Sequence, residues 1–259
     1  MELSLLDRYR KKRLTLIYAV LIFGIALFYA AVCTPVHIWA YSNILVSETV
    51  FLIVWDGVVT AVNYLFYWVS FAFMLYFFAR FTAKNSKSVL FVYLGASAFL
   101  YLANLLSSCI VNGFADFVLN DLLDVLMYTA LDAAQMAFAA LLAWWALKPA
   151  QEHARRVYLK ARGDDPEATL KMPRFLPFTR LFDLKNPLMR SAFLASAISA
   201  VFHIASRIRY DIFFGAPVNT ADLLWMIFAY VSELIAWLVG YFIMILLLNH
   251  LDIREGKKE

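Results

Sequence analysis

The sequence predicts an all-α membrane protein of six transmembrane helices, paired as three helical hairpins with both termini in the cytoplasm. Three observations predict it. The 259 residues are 63% hydrophobic and only 16% charged, whereas soluble domains run about 25% charged. Several stretches exceed the ~18 nearly uncharged residues that mark a membrane-spanning helix. The bases are also sorted. Of 23 Lys and Arg, all but Arg207 and Arg209 fall in the N-terminal segment, the second and fourth connections, or the C-terminal tail, which is the positive-inside pattern of a plasma-membrane protein.

The elements follow in order, as one membrane domain over residues 1–259. Arg8, Arg10, Lys11, Lys12 and Arg13 precede an apolar run. A signal peptide has the same order, but its apolar core is about 7–15 residues and ends in a small-residue cleavage site. This core is longer, so it is read as a retained first span, 14–33, lacking any ionisable group and therefore the most lipid-facing. Residues 34–57 read as a mixed loop without Lys or Arg, in which Ser47-Glu48 resembles a helix start. The second span, 58–79, is closed by Arg80, and the third, 88–111, follows a turn with Lys84 and Lys87. The fourth, 121–147, ends at Lys148-Pro149. Spans five and six are placed at 191–213 and 223–248. Cys33 and Cys109 sit in no metal or redox spacing and read as apolar packing residues.

The one long connection, 148–190, holds ten Lys or Arg against five acids. Residues 149–162 can form a short basic helix stopped by Gly163 and Asp165-Pro166. Phe175, Phe178, Leu181, Phe182 and Leu184 then recur at helical spacing among Arg174, Arg180 and Lys185. This amphipathic, basic loop suits anionic lipid headgroups or a protein partner.

The fourth span carries the sharpest chemistry. Asp121, Asp124, Tyr128, Asp132 and Gln135 fall on one helix face. At 1.5 Å per residue Asp132 lies ~16 Å from Asp121, near the middle of a ~30 Å hydrocarbon slab. A carboxylate there costs several kcal/mol unless it is protonated, paired or wetted. Polar stripes mark other spans too: Asp56, Thr60, Asn63, Tyr67 and Ser70 in the second; Ser97, Tyr101, Asn104 and Ser108 in the third; Ser196, Ser199, His203, Arg207 and Tyr210 in the fifth; Glu233 in the sixth. A shift of 101 residues lays Asp121-Leu122-Leu123 on Asp222-Leu223-Leu224 and Asp132 on Glu233, which hints at a duplication pairing two acids at one depth. Helix-to-helix hydrogen bonding accounts for much of this polarity without function. Asp132 and Glu233 are different, because a structural carboxylate usually needs a cation, and only His203 and Arg207 lie deep enough to supply one.

The sequence therefore points to a transport protein, or a substrate-binding transport subunit, that handles a small cation or cationic metabolite through an outward-facing polar cavity. Asp132 and Glu233 would bear the charge, and Asp124, His203, Arg207, Asn104, Asn63 and Gln135 would shape the site. A non-catalytic anchor or regulatory subunit docking through 148–190 is the alternative. An intramembrane lipid-modifying enzyme with Asp132 or His203 as base stands third, because no catalytic spacing supports it. No phosphate-cradling Gly-rich loop, H-E-x-x-H or G-x-S-x-G is present. No cofactor is implied, and a net charge of +4 is no signal for nucleic acid.

Overall fold

The computed structural model describes residues 5–43, 49–80, 83–112, 119–164, 182–214 and 220–256, and within them some side chains lie outside the described set. The described residues are helical save for a short turn before Pro187. The helices are α1 (Leu5–Phe28), a π-helical turn (Tyr29–Cys33), α2 (Thr34–Asn43), α3 (Thr49–Arg80), α4 (Ala83–Asn112), α5 (Leu119–Asp164), α6 (Pro187–Phe214) and α7 (Thr220–Gly256). Five stretches are long and apolar enough to cross a membrane: Lys11–Ala40, Gly57–Ala79, Lys87–Val111, Asp121–His153 and Leu234–Leu251. Pro187–Phe202 is a shorter apolar helix at the place of the expected fifth span.

Two expected boundaries are corrected. Residues 34–43 are helix rather than loop, while 49–57 extend the next helix, as the helix start at Ser47-Glu48 allowed. The first helix continues past Thr34-Pro35 by widening. A proline at 35 has no N–H and its ring crowds the carbonyl four residues back, a cost of about 3 kcal/mol in a regular helix. The π turn absorbs this, and the Thr34 N–H reaches back to the Tyr29 carbonyl. The second correction concerns Pro149. It does not separate a basic helix from the fourth span, because α5 runs through it to Asp164. That end falls at the predicted Gly163 and Asp165-Pro166 stop.

The chain groups into two compact units, Met1–Ser70 with Lys87–Ala134, and Phe71–Ser86 with Gln135–Glu259. Within the first, α1 buries one stripe, Leu14, Tyr18, Ile22, Ala26, Ala30 and Cys33, and exposes Leu16, Val20 and Leu27. One buried face at a spacing of four suits a helix bordered by lipid. Tyr18 Oη donates to Ser70 Oγ at 3.0 Å, and Ser70 Oγ donates to the Phe66 carbonyl at 2.8 Å. Tyr18→Phe is expected to cost about 1 kcal/mol, seen as a lower midpoint in detergent unfolding. Cys33 and Cys109 are buried and free.

In the second unit, α6 starts by sequence-local rules. Asn186 Oδ1 accepts the N–H groups of Leu188 (2.8 Å) and Met189 (3.4 Å), and Pro187 stands at the first helical position, where a missing N–H costs nothing. α6 and α7 are joined by an aromatic seam. Trp237 Nε1 donates to the Ser196 carbonyl at 3.0 Å, and Phe193 packs on both Trp237 and Tyr241. Phe182 stacks on Tyr241 with ring centroids 5.6 Å apart. Near Pro149, Gln151 donates to the Phe78 carbonyl and Arg190 donates to the Ala146 carbonyl at 3.5 Å. Those bonds tie down the backbone around the proline. Lys148 lies over the Trp144 ring at 5.5 Å, an aromatic-plus-basic pair of the kind found at membrane borders.

The most enclosed stretch is on α3. Every residue of 66–79 is buried. A helix apolar on all sides belongs inside a bundle, not at its rim, and 66–79 has that composition, with Ser70 as its one small polar residue.

Candidate functional site

Asp132 is 5% exposed, and its partners are hydroxyls. Tyr67 Oη donates to Oδ1 at 2.9 Å, while Ser97 Oγ (2.8 Å) and Tyr101 Oη (3.1 Å) donate to Oδ2. The donors come from α3 and α4, so one carboxyl group joins three helices of the first unit. Local spacing positions them. Ser97 and Tyr101 stand one turn apart on α4, on the face that also buries Tyr93 and Leu100, and Tyr67 opens the enclosed stretch of α3.

The magnitudes show why no cation is required. Burying a carboxylate costs several kcal/mol. A hydrogen bond to a charged group contributes about 1.5–3 kcal/mol, so three of them offset that cost. Among the described residues Asp132 is met by this hydroxyl cage and by no base. An ionised carboxylate has about four acceptor positions, and the cage fills three of them.

Around this cage lies a second layer. Tyr128, one turn from Asp132 on α5, stacks its ring on Tyr101 with centroids 5.7 Å apart. The Tyr93 ring packs against Phe66 at 5.8 Å, and its buried hydroxyl has no hydrogen-bond partner among the described residues.

The other expected site residues fare differently. Asn104 uses its side-chain oxygen to accept the Thr34 hydroxyl. Thr34 Oγ1 also stands 3.3 Å from the Tyr29 carbonyl, so this bond pins the π turn to α4. Asn63 is half-buried, one turn before Tyr67. Asp124 is exposed and does not share the Asp132 cage. The polar face of α5 therefore turns inward only at its inner end, where Asp132 and Gln135 are buried. The side chains of Glu233, His203 and Arg207 lie outside the described residues. Among the described residues no group of three or more His, Cys, Asp or Glu could hold a metal ion.

Tyr67, Ser97 and Tyr101 were visible in the sequence as members of polar stripes but were not expected in the site. The signal that could have found them is chemical. A hydroxyl is an uncharged side-chain donor that tolerates an apolar helix and can bond a carboxylate.

Fold and site together define a class: an all-helical protein with five helices of membrane-spanning length and composition, and a carboxyl group buried among hydroxyls. Compared with known protein families, characterised proteins and solved structures, the chain matches none.

Proposed function

We propose that this is a multi-pass transport protein, or a transport subunit, of the cytoplasmic membrane that handles a small cation, with Asp132 as the charge-bearing group. In this reading the chain crosses the bilayer six times and keeps both termini and the basic connection in the cytoplasm. The single observation that carries it is the Asp132 cage: an ionisable group held, among the described residues, by hydroxyls and without a neutralising base. Intramembrane carboxyls on a bundle interior mark ion and proton paths. A bulky cationic metabolite fits the site poorly, because Asp132 is 5% exposed and two tyrosines cover it. Glu233, His203 and Arg207 remain proposed from the sequence alone.

Asp132→Asn tests this. The variant is expected to insert and fold but to lose at least tenfold in ion or proton flux across vesicles holding the purified protein. Unchanged flux would defeat the reading.

A second reading is favoured by one observation. Beyond Pro149, α5 carries an exposed flank, Glu152, His153, Arg156, Val157 and Lys160, with Glu152 and Arg156 4.0 Å apart. Such a flank suits a docking or regulatory subunit bound to a partner or to anionic headgroups, the Asp132 cage then acting as a helix staple. The same flux experiment separates the two, since a staple leaves no flux to lose.

A further inference from the structure

We infer that the ligand of the Asp132 site is the proton, and that the Tyr67, Ser97 and Tyr101 hydroxyls serve the carboxyl group in both protonation states. The inference rests on the proposed cation-handling role and names its substrate class.

The argument counts hydrogens. In the ionised state three hydrogens point at the carboxylate, from Tyr67 to Oδ1 and from Ser97 and Tyr101 to Oδ2. A proton arriving on Oδ2 adds one donor. A neighbour that can only donate would then face the new O–H with no acceptor to offer. A hydroxyl can do both. The Oδ2–H donates to Tyr101 Oη, 3.1 Å away, once Tyr101 turns its own hydrogen aside. Tyr67 keeps donating to Oδ1, which is then the carbonyl oxygen. Ser97 keeps donating to the carboxyl group. The carboxyl group keeps three hydrogen bonds in both states and no heavy atom has to move. One proton is gained, one C–O–H bond forms, and the charge falls by one.

A metal cation does not fit the same cage. It would need the Tyr67, Ser97 and Tyr101 oxygens as ligands, with all three hydrogens turned away from it. Hard cations of this kind take about six oxygen ligands, and the cage offers one carboxyl group and three hydroxyls. Among the described residues the other titratable groups beside the cage are also tyrosines: Tyr93 on α4, whose buried hydroxyl has no hydrogen-bond partner among them, and Tyr18 and Tyr29 on the first helix. None of these is a competing acid or base near neutral pH.

Infrared difference spectroscopy on the full chain in lipid vesicles, stepped in pH, tests the inference. A protonated-carboxyl C=O band should appear on acidification and vanish in Asp132→Asn. Sodium, potassium or magnesium at constant pH should leave it unmoved. Both Tyr67→Phe and Tyr101→Phe should shift the band to higher frequency, because each removes a hydrogen bond from the acid. Should Asp132→Asn not fold, Asp132→Glu assigns the band by displacing it. A cage that answers to a metal ion and not to pH overturns the inference while leaving cation handling intact. An Asp132 carboxylate that answers to neither overturns both. A titrating band in a protein whose flux is indifferent to Asp132→Asn supports the proton site and removes the transport role.

Discussion

Asp132→Ala is expected to destabilise the protein by about 2–4 kcal/mol, the larger effect of any single change in the cage. Truncation leaves the hydroxyls of Tyr67, Ser97 and Tyr101 without their acceptor, and each orphaned buried group costs about 1–3 kcal/mol. The total stays below their sum because removing a carboxylate also removes its burial cost. Asp132→Asn keeps the shape and one acceptor oxygen, so its cost should be nearer 1 kcal/mol. The pair is read together by unfolding in detergent followed through tryptophan fluorescence. An alanine variant as stable as the parent would mean that the cage contributes nothing to holding α3, α4 and α5 together.

Leu75→Ala is the second large effect, expected at about 2–3 kcal/mol, while Leu106→Ala should change stability by less than about 0.5 kcal/mol. Both are leucines on spanning helices. Leu75 is fully buried on the enclosed part of α3, and Leu106 is 53% exposed on α4. In a bilayer the gain from leaving water is largely absent when helices meet, because lipid tails are as apolar as leucine. What remains is close packing: a cavity at position 75 forfeits dispersion contacts that no lipid chain restores. Equal effects at both positions, measured by the same unfolding, would show that residues 66–79 are not packed as the structure has them.

The structure also shifts emphasis between helices. From the sequence, 121–147 is the organising stretch, because acids in hydrocarbon demand partners. In the fold the most enclosed of the described residues are 66–79 of α3, and the acid helix exposes Leu123 and Leu126 on its other side. Periodicity could not have shown this. A stretch apolar on every face has no periodic signal, and it reads the same whether lipid or protein surrounds it.

Helix boundaries divide along similar lines. The signal for the start of α6 was legible, because Asn186 and Pro187 act on the backbone beside them, although the span was placed from 191 and the helix begins at Pro187. Continuation through Pro35 and Pro149 was not, since each proline is a local stop that distant groups made tolerable. At Pro35 the π turn and the Thr34–Asn104 bond do this. At Pro149 the Gln151 and Arg190 bonds do it.

By itself the sequence determined the helical class, the apolar stretches of spanning length, and the presence of a carboxyl group too deep to be left alone. Those follow from hydrophobicity and charge, which act residue by residue. Only the tertiary structure decided that Asp132 is met by hydroxyls instead of a base, that Asp124 is left exposed, and that α3 holds the most enclosed residues. Such choices depend on which helix face meets which, and a hydroxyl becomes a partner for a carboxylate only when packing brings the two within 3 Å or so.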